Sequence, residues 1–188
     1  LTTSGSFPIV ELFGAGGAVR GFAINNTNSQ AISGTSISNF TIANVAITAG
    51  ITSSGAVAFI GTSGTNTLNN VDITGTVPSG NSAFAFVSNA GTINLVGSTV
   101  SSFTGGRVLS IDSNSGTIAF DANSDLSSTD TRGLIIASQT ATGVVTLAGV
   151  DLDGGVTGNP LISLLNNHAN SVVNFEEGMF ADAATTNT

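Results

Sequence analysis

Cysteine, lysine, tryptophan and tyrosine are all missing from this 188-residue chain, whose only basic side chains are Arg20, Arg107 and Arg132. Without cysteine there are no disulfides, thiolate metal sites or thiol nucleophiles. Three scattered arginines against 11 Asp and Glu, with a formal net charge of −8, exclude a nucleic-acid partner, because phosphate neutralisation needs clustered cations. An anionic membrane surface repels the chain for the same reason. No 18-residue apolar run is present, so direct membrane insertion of this segment is not expected, and no signal peptide is evident. The chain opens in mid-pattern at Leu1 and reads as part of a longer protein that continues in at least one direction.

What remains is a sequence with 24 glycines and 40% hydrophobic residues, only 7% of it charged. Low charge combined with abundant Val, Ile, Leu and Phe is the opposite of the disorder signature. The length suits a single domain over 1–188 with a sizeable core.

An internal repeat is the main signal, and such repeats decide the fold when they are present. Pairs of apolar residues recur as Val19/Ile24, Ile42/Ile47, Leu68/Ile73, Leu95/Val100, Phe120/Leu126, Leu147/Leu152 and Phe175/Phe180. Each pair is five residues apart except Phe120/Leu126, which carries one extra residue. The second members step by 23, 26, 27, 26, 26 and 28 residues. Apolar and small or polar residues alternate in Phe40-Thr41-Ile42 and Val45-Ala46-Ile47, the period of a β-strand. Two residues after the first member of a pair stand Gly21, Asn44, Asn70, Gly97 and Gly149, residue types that tolerate left-handed backbone and so predict a sharp bend. Another apolar run precedes most bends, as in Val57–Ile60, Phe84–Phe86, Val108–Ile111, Leu134–Ile136 and Leu161–Leu164. A weaker third position follows at Ile51, Val77, Phe103 and Val156.

Three short strands per repeat describe one triangular coil, so the fold class is all-β: a right-handed parallel β-helix of about seven coils and roughly 26 residues per coil. Stacking explains the scarcity of charge. Each outward position recurs in the next coil about 4.8 Å away, where like charges oppose one another. Aliphatic and Phe columns are expected inside, Asn at the bends, and Ser and Thr outside. A β-sandwich or closed barrel also uses many short strands but gives no reason for a constant step.

The segments VRGFAIN, ISNFTIANVAIT, LNNVDITG and LAGVDLDG resemble coils of the pectin-lyase-like superfamily of right-handed parallel β-helices. That superfamily includes polysaccharide lyases and hydrolases, phage tailspikes, and autotransporter passengers and adhesins. GGAV at 16–19 and FAIN at 22–25 are similar to the short motifs of chlamydial polymorphic outer-membrane proteins, which are autotransporter adhesins.

Asp125, Asp151 and Asp153 are the candidate metal ligands. Asp125 and Asp151 hold the same slot in successive coils, one residue before Leu126 and Leu152, and Asp153 flanks the same leucine. Three outward carboxylates in one patch are a donor set for Ca²⁺, as in the calcium sites of the pectate lyases that the fold resembles. The alternative is a solvated acidic patch partly relieved by Arg132. DLDGG is not an EF-hand loop, since its twelfth position is Ile162 and not Glu. Paired carboxylates also suit glycoside hydrolysis, yet the lone His168 sits in a turn-like NNHAN segment, and lyase chemistry needs a base and uronate-binding cations that a lysine-free chain supplies poorly. GAGGAV lacks the last glycine of a dinucleotide fingerprint. Asn25 and Asn39 begin N-x-T sequons.

The expected function is that of a non-catalytic, secreted or bacterial cell-surface β-helix, a rigid stalk or contact surface of an autotransporter passenger or adhesin. It needs no cofactor beyond a possible calcium ion. Loops 76–82, 126–133 and 152–160, where coil length varies, would meet a protein or glycan of a host or neighbouring cell. A polysaccharide-active enzyme and a phage-fibre-like glycan binder are the alternatives.

Overall fold

The computed structural model describes residues 7–26, 29–50, 55–127, 133–148, 150, 152–153, 160–176 and 180–181. Among these residues every regular element is a strand, and the strands pair in parallel. They wind as a right-handed parallel β-helix of about six turns, the hand that parallel crossovers take. The first two strands, Val10–Asn26 and Ile32–Gly50, bend through all three faces of their coils. Later coils break at the corners into separate strands such as Arg107–Asp112, Thr117–Phe120 and Asp125–Leu126.

The repeated apolar pairs become interior columns. On the second face of each coil, Val19, Ile42, Leu68, Leu95, Phe120, Leu147 and Phe175 follow one another in register. The third face stacks Ile24, Ile47, Ile73, Val100 and Leu126, and Leu152 pairs with Phe180. Seven rungs separated by six turns reconcile the seven pairs with the winding. The extra residue in the Phe120 coil is absorbed in the turn at 122–123 without a slip in register. The earlier apolar runs form the first face, where Phe59, Phe86, Ile111, Ile136 and Leu164 make another column. Rings of Phe59 and Phe86 lie 5.8 Å apart, and Phe84 meets Phe120 edge-on across the interior. Val77 and Phe103 are fully buried, as their third-position slot implies, while Ile51 and Val156 lie outside the described residues.

The corners show what positions the strands. Gly21, Asn44, Asn70 and Gly97 all have φ between 51° and 71°, the left-handed bend expected of them; Gly149 is outside the described residues. A second corner, between the first and second faces, repeats in all seven rungs. Its residues Gly14, Ser36, Gly61, Ser88, Ser113, Ser138 and Asn166 have φ of 52–75°. Serine is not a usual left-handed residue, so the periodic serines gave no turn signal.

Asparagine stands at the bends as expected, and the structure adds that Asn89 and Asn114, directly after the left-handed corner residues Ser88 and Ser113, turn inward and are fully buried in one column with Thr62 and Gln139. The Thr62 hydroxyl donates to Asn89 Oδ1, Asn89 Nδ2 donates to Asn114 Oδ1 at 2.8 Å, and Asn114 Nδ2 donates to Gln139 Oε1 at 2.9 Å. The column continues as the Gln139 backbone N–H donates to Asn167 Oδ1 at 2.9 Å. An amide carries both donor and acceptor, so identical side chains one rung apart satisfy each other inside the core.

Candidate functional site

The residue before the inward-facing member of the third face forms an outward column: Ala23, Ala46, Asp72, Thr99 and Asp125. Parallel pairing sets each directly over the next, so carboxylate and hydroxyl alternate. The Thr99 hydroxyl donates to Asp72 Oδ1 at 2.7 Å. Asp125, half-buried, pairs with Thr99 one rung away. Of the three carboxylates proposed from sequence, only Asp125 has a described side chain. Asp151 lies outside the described residues, and for Asp153 only the backbone is described, in the strand Leu152–Asp153 opposite Ala181. The structure adds Asp72 and Thr99. Asp72 was detectable by the same rule that picked Asp125, since it stands one residue before Ile73. Among the described residues no three His, Cys, Asp or Glu side chains come together as a metal site.

A second carboxylate is more firmly built in. Asp121 follows Phe120 at the corner with the extra residue. Its Oδ1 accepts from the Gly97 N–H at 2.9 Å and the Ser124 hydroxyl at 2.8 Å, and its Oδ2 accepts from Asn123 Nδ2 at 3.1 Å. Burial pushes its pKa up, but these hydrogen bonds to the charged form outweigh burial and hold it below the usual carboxylate value. Ser124 also accepts from the Ser98 N–H at 3.3 Å, and Ser98 Oγ accepts from the Val71 N–H at 3.3 Å. This buried serine step ties the corner to two lower rungs.

Two surface grooves lie nearby. One, of about 470 Å³, runs over the first three rungs at the corner of the second and third faces and is lined by Gly21, Phe22, Asn44, Val45, Asn70 and Asp72. Asn70 Nδ2 donates to Asn44 Oδ1 at 3.1 Å along its edge. The other, of about 500 Å³, is formed at the last described rung by Leu164, Asn166, Asn167, His168, Ser171 and Val173. His168 is a turn residue there, its Nδ1 accepting from the Asn170 N–H at 3.1 Å and its carbonyl from the Ser171 hydroxyl at 2.8 Å. It lies between the first and second faces, two rungs above Asp125 on the third, so these two cannot act on one bond. Arg107 begins its strand and its guanidinium donates to the Gly80 carbonyl at 3.2 Å, across the 76–82 loop. The middles of loops 126–133 and 152–160 lie outside the described residues. Comparison with protein-family models, with curated proteins and with solved structures gives no match.

Proposed function

We propose that this β-helix is a non-catalytic rod, a section of a secreted or cell-surface adhesin or autotransporter passenger, which holds contact surfaces away from a cell toward proteins or glycans of a host or neighbouring cell. The observation that supports this reading is the second face, whose inward column keeps parallel register over seven described rungs from Val19 to Phe175. A solenoid of this kind contacts itself only between neighbouring rungs and is stiff along its axis because every rung is hydrogen-bonded to the next. Protease shaving of intact cells that express the native gene tests the placement: release of fragments that react with antibody to this segment is expected, and protection until lysis overturns it.

The acidic column is the feature that favours polysaccharide chemistry instead. Incubation of the chain with pectin, alginate and related polymers, with and without calcium, is expected to give no turnover. Turnover abolished by Asp125→Ala or Asp151→Ala overturns the non-catalytic reading.

A further inference from the structure

Among the described strands, Val10–Asn26 pairs on one side only, with Ile32–Gly50, while Ile162–Leu165 and Val172–Glu176 pair only with the rung before them. Each therefore turns one row of backbone N–H and C=O groups along the axis, and such a row is a template for a further strand. Rungs repeat by translation, so the row on the last described rung is the one that Val10–Asn26 complements. Extending the register by one step sets Val10, Leu12 and Phe13 over Ile162, Leu164 and Leu165 on the first face. On the second face it sets Val19 over Phe175. The apolar surface at the two rungs corresponds: Phe13, Leu164 and Leu165 are exposed, and Val10, Val19, Ile162 and Phe175 are only partly buried.

Charge selects the same pairing. The residue after the inward member of the second-face column is Arg20, Ala43, Asn69 and Val96 in the first four rungs, and Ala148 and Glu176 in the last two described. Arg20 and Glu176 are both exposed. One column thus carries opposite charges at its two ends, and one further step of register brings Arg20 over Glu176, about 4.8 Å away along the axis. The same step sets Glu11 over Ser163, a carboxylate beside a hydroxyl as Asp72 is beside Thr99. Shape agrees as well. The groove of about 500 Å³ lies at the corner that contains Asn166 and His168, and the corner residue one step past Asn166 is Gly14. A Cβ added at Gly14 or Gly16 would meet nothing within 4 Å, so this corner is thin enough to seat in the groove. We propose that this chain associates head to tail, the first described rung of one copy pairing in parallel with the last described rung of another, so that the β-helix and its columns continue across the joint. A heterologous joint made by translation does not close, so assembly is open-ended. The inference does not depend on where the rod is placed or on the acidic column.

Sedimentation velocity of the full 188-residue chain over a concentration series tests this, with electron microscopy of the largest species. The mean mass is expected to rise with concentration toward no fixed end state, as filaments one rod wide. Arg20→Glu and Glu176→Arg each place like charges at the joint and are expected to weaken association at least tenfold. Association returns when both are combined in one chain, and also when the two singly substituted proteins are mixed, since each then supplies the end that the other needs. Ile60→Lys, on the outward side of the first face in mid-rod, is expected to leave assembly unchanged. All three positions are exposed, and melting temperatures close to that of the wild type separate loss of the joint from loss of the fold. A wild type that stays monomeric at every concentration overturns the proposal, as does equal assembly of wild type and the folded single charge reversals. Loss of assembly in Ile60→Lys alone overturns it in favour of side-by-side packing on the first face.

Discussion

Asn114 shows how much one side chain can decide in a repetitive core. It accepts from Asn89 Nδ2, donates to Gln139 Oε1 and the Gly116 carbonyl, and turns back to accept from the Gly116 N–H. Asn114→Ala strands groups on both neighbouring rungs in a dry interior, and each stranded group costs about 1–3 kcal/mol. Urea denaturation is expected to show a loss of about 3 kcal/mol for Asn114→Ala, against about 1 kcal/mol for Thr62→Val at the end of the ladder, where one bond is lost and shape is kept. None of this was legible in composition, because asparagine is read as a turn residue unless its column partners are known. Asp121 makes a different statement at the same scale. Its folded pKa is lowered by the hydrogen bonds from Gly97, Ser124 and Asn123 acting against burial. Its contribution is therefore present above the unfolded carboxylate pKa and lost as the pH falls through the folded value. Acid titration of Tm is expected to be shallower for Asp121→Asn than for the wild type, with the difference confined to the acidic range; identical slopes would remove Asp121 as the corner's charged acceptor.

At the scale of the element, the sequence was most readable where chemistry alternates and least readable where backbone meets backbone. The apolar pairs give the register of the second and third faces because aliphatic side chains must stack inside, and the steps of 23–28 residues are the spacings the paired strands show. The bends at Asn44 and Asn70 followed from residue type, whereas Ser36, Ser88, Ser113 and Ser138 hold left-handed φ that nothing local announces. Only the stacked corner above and below explains them. Gly116 is a second such case. Its φ lies outside the left-handed region, but a Cβ there would lie 2.0 Å from the Gly91 carbonyl oxygen one rung away, so the corner closes only over glycine. Gly116→Ala must push two rungs apart and is expected to cost about 2 kcal/mol or more in chemical denaturation, while leaving the outward faces chemically unchanged. The acidic patch was half legible. The slot rule located Asp125 and, applied to Ile73 and Val100, also places Asp72 and Thr99 in the column, but it could not show that the Thr99 hydroxyl bonds to Asp72.

For the whole molecule, nearest-neighbour stacking makes stability a function of position along the axis. Phe86 and Leu164 occupy one interior column, yet Phe86 is fully buried between rungs while Leu164, in the last described rung, is 50% exposed. Neighbouring Leu165 is 47% exposed and Phe13, in the first rung of the same outward column, 66%. A solenoid with this profile frays from its ends, because a terminal rung has one interface to lose and a central rung has two. Phe86→Ala removes a ring packed from both sides and is expected to destabilise by about 3–5 kcal/mol. Leu164→Ala gives up half-solvated area and should cost about 1 kcal/mol. Amide hydrogen exchange distinguishes this one-dimensional behaviour from all-or-none unfolding. Protection is expected to be greatest for Phe84–Phe86 and Val108–Ile111 and to fall toward Ile162–Leu165, with Phe86→Ala lowering protection on both sides of its rung. Uniform protection along the axis, with every amide exchanging at the global unfolding rate, would instead mean that the ladders of Asn89, Asn114 and Gln139 bind the rungs into one cooperative unit.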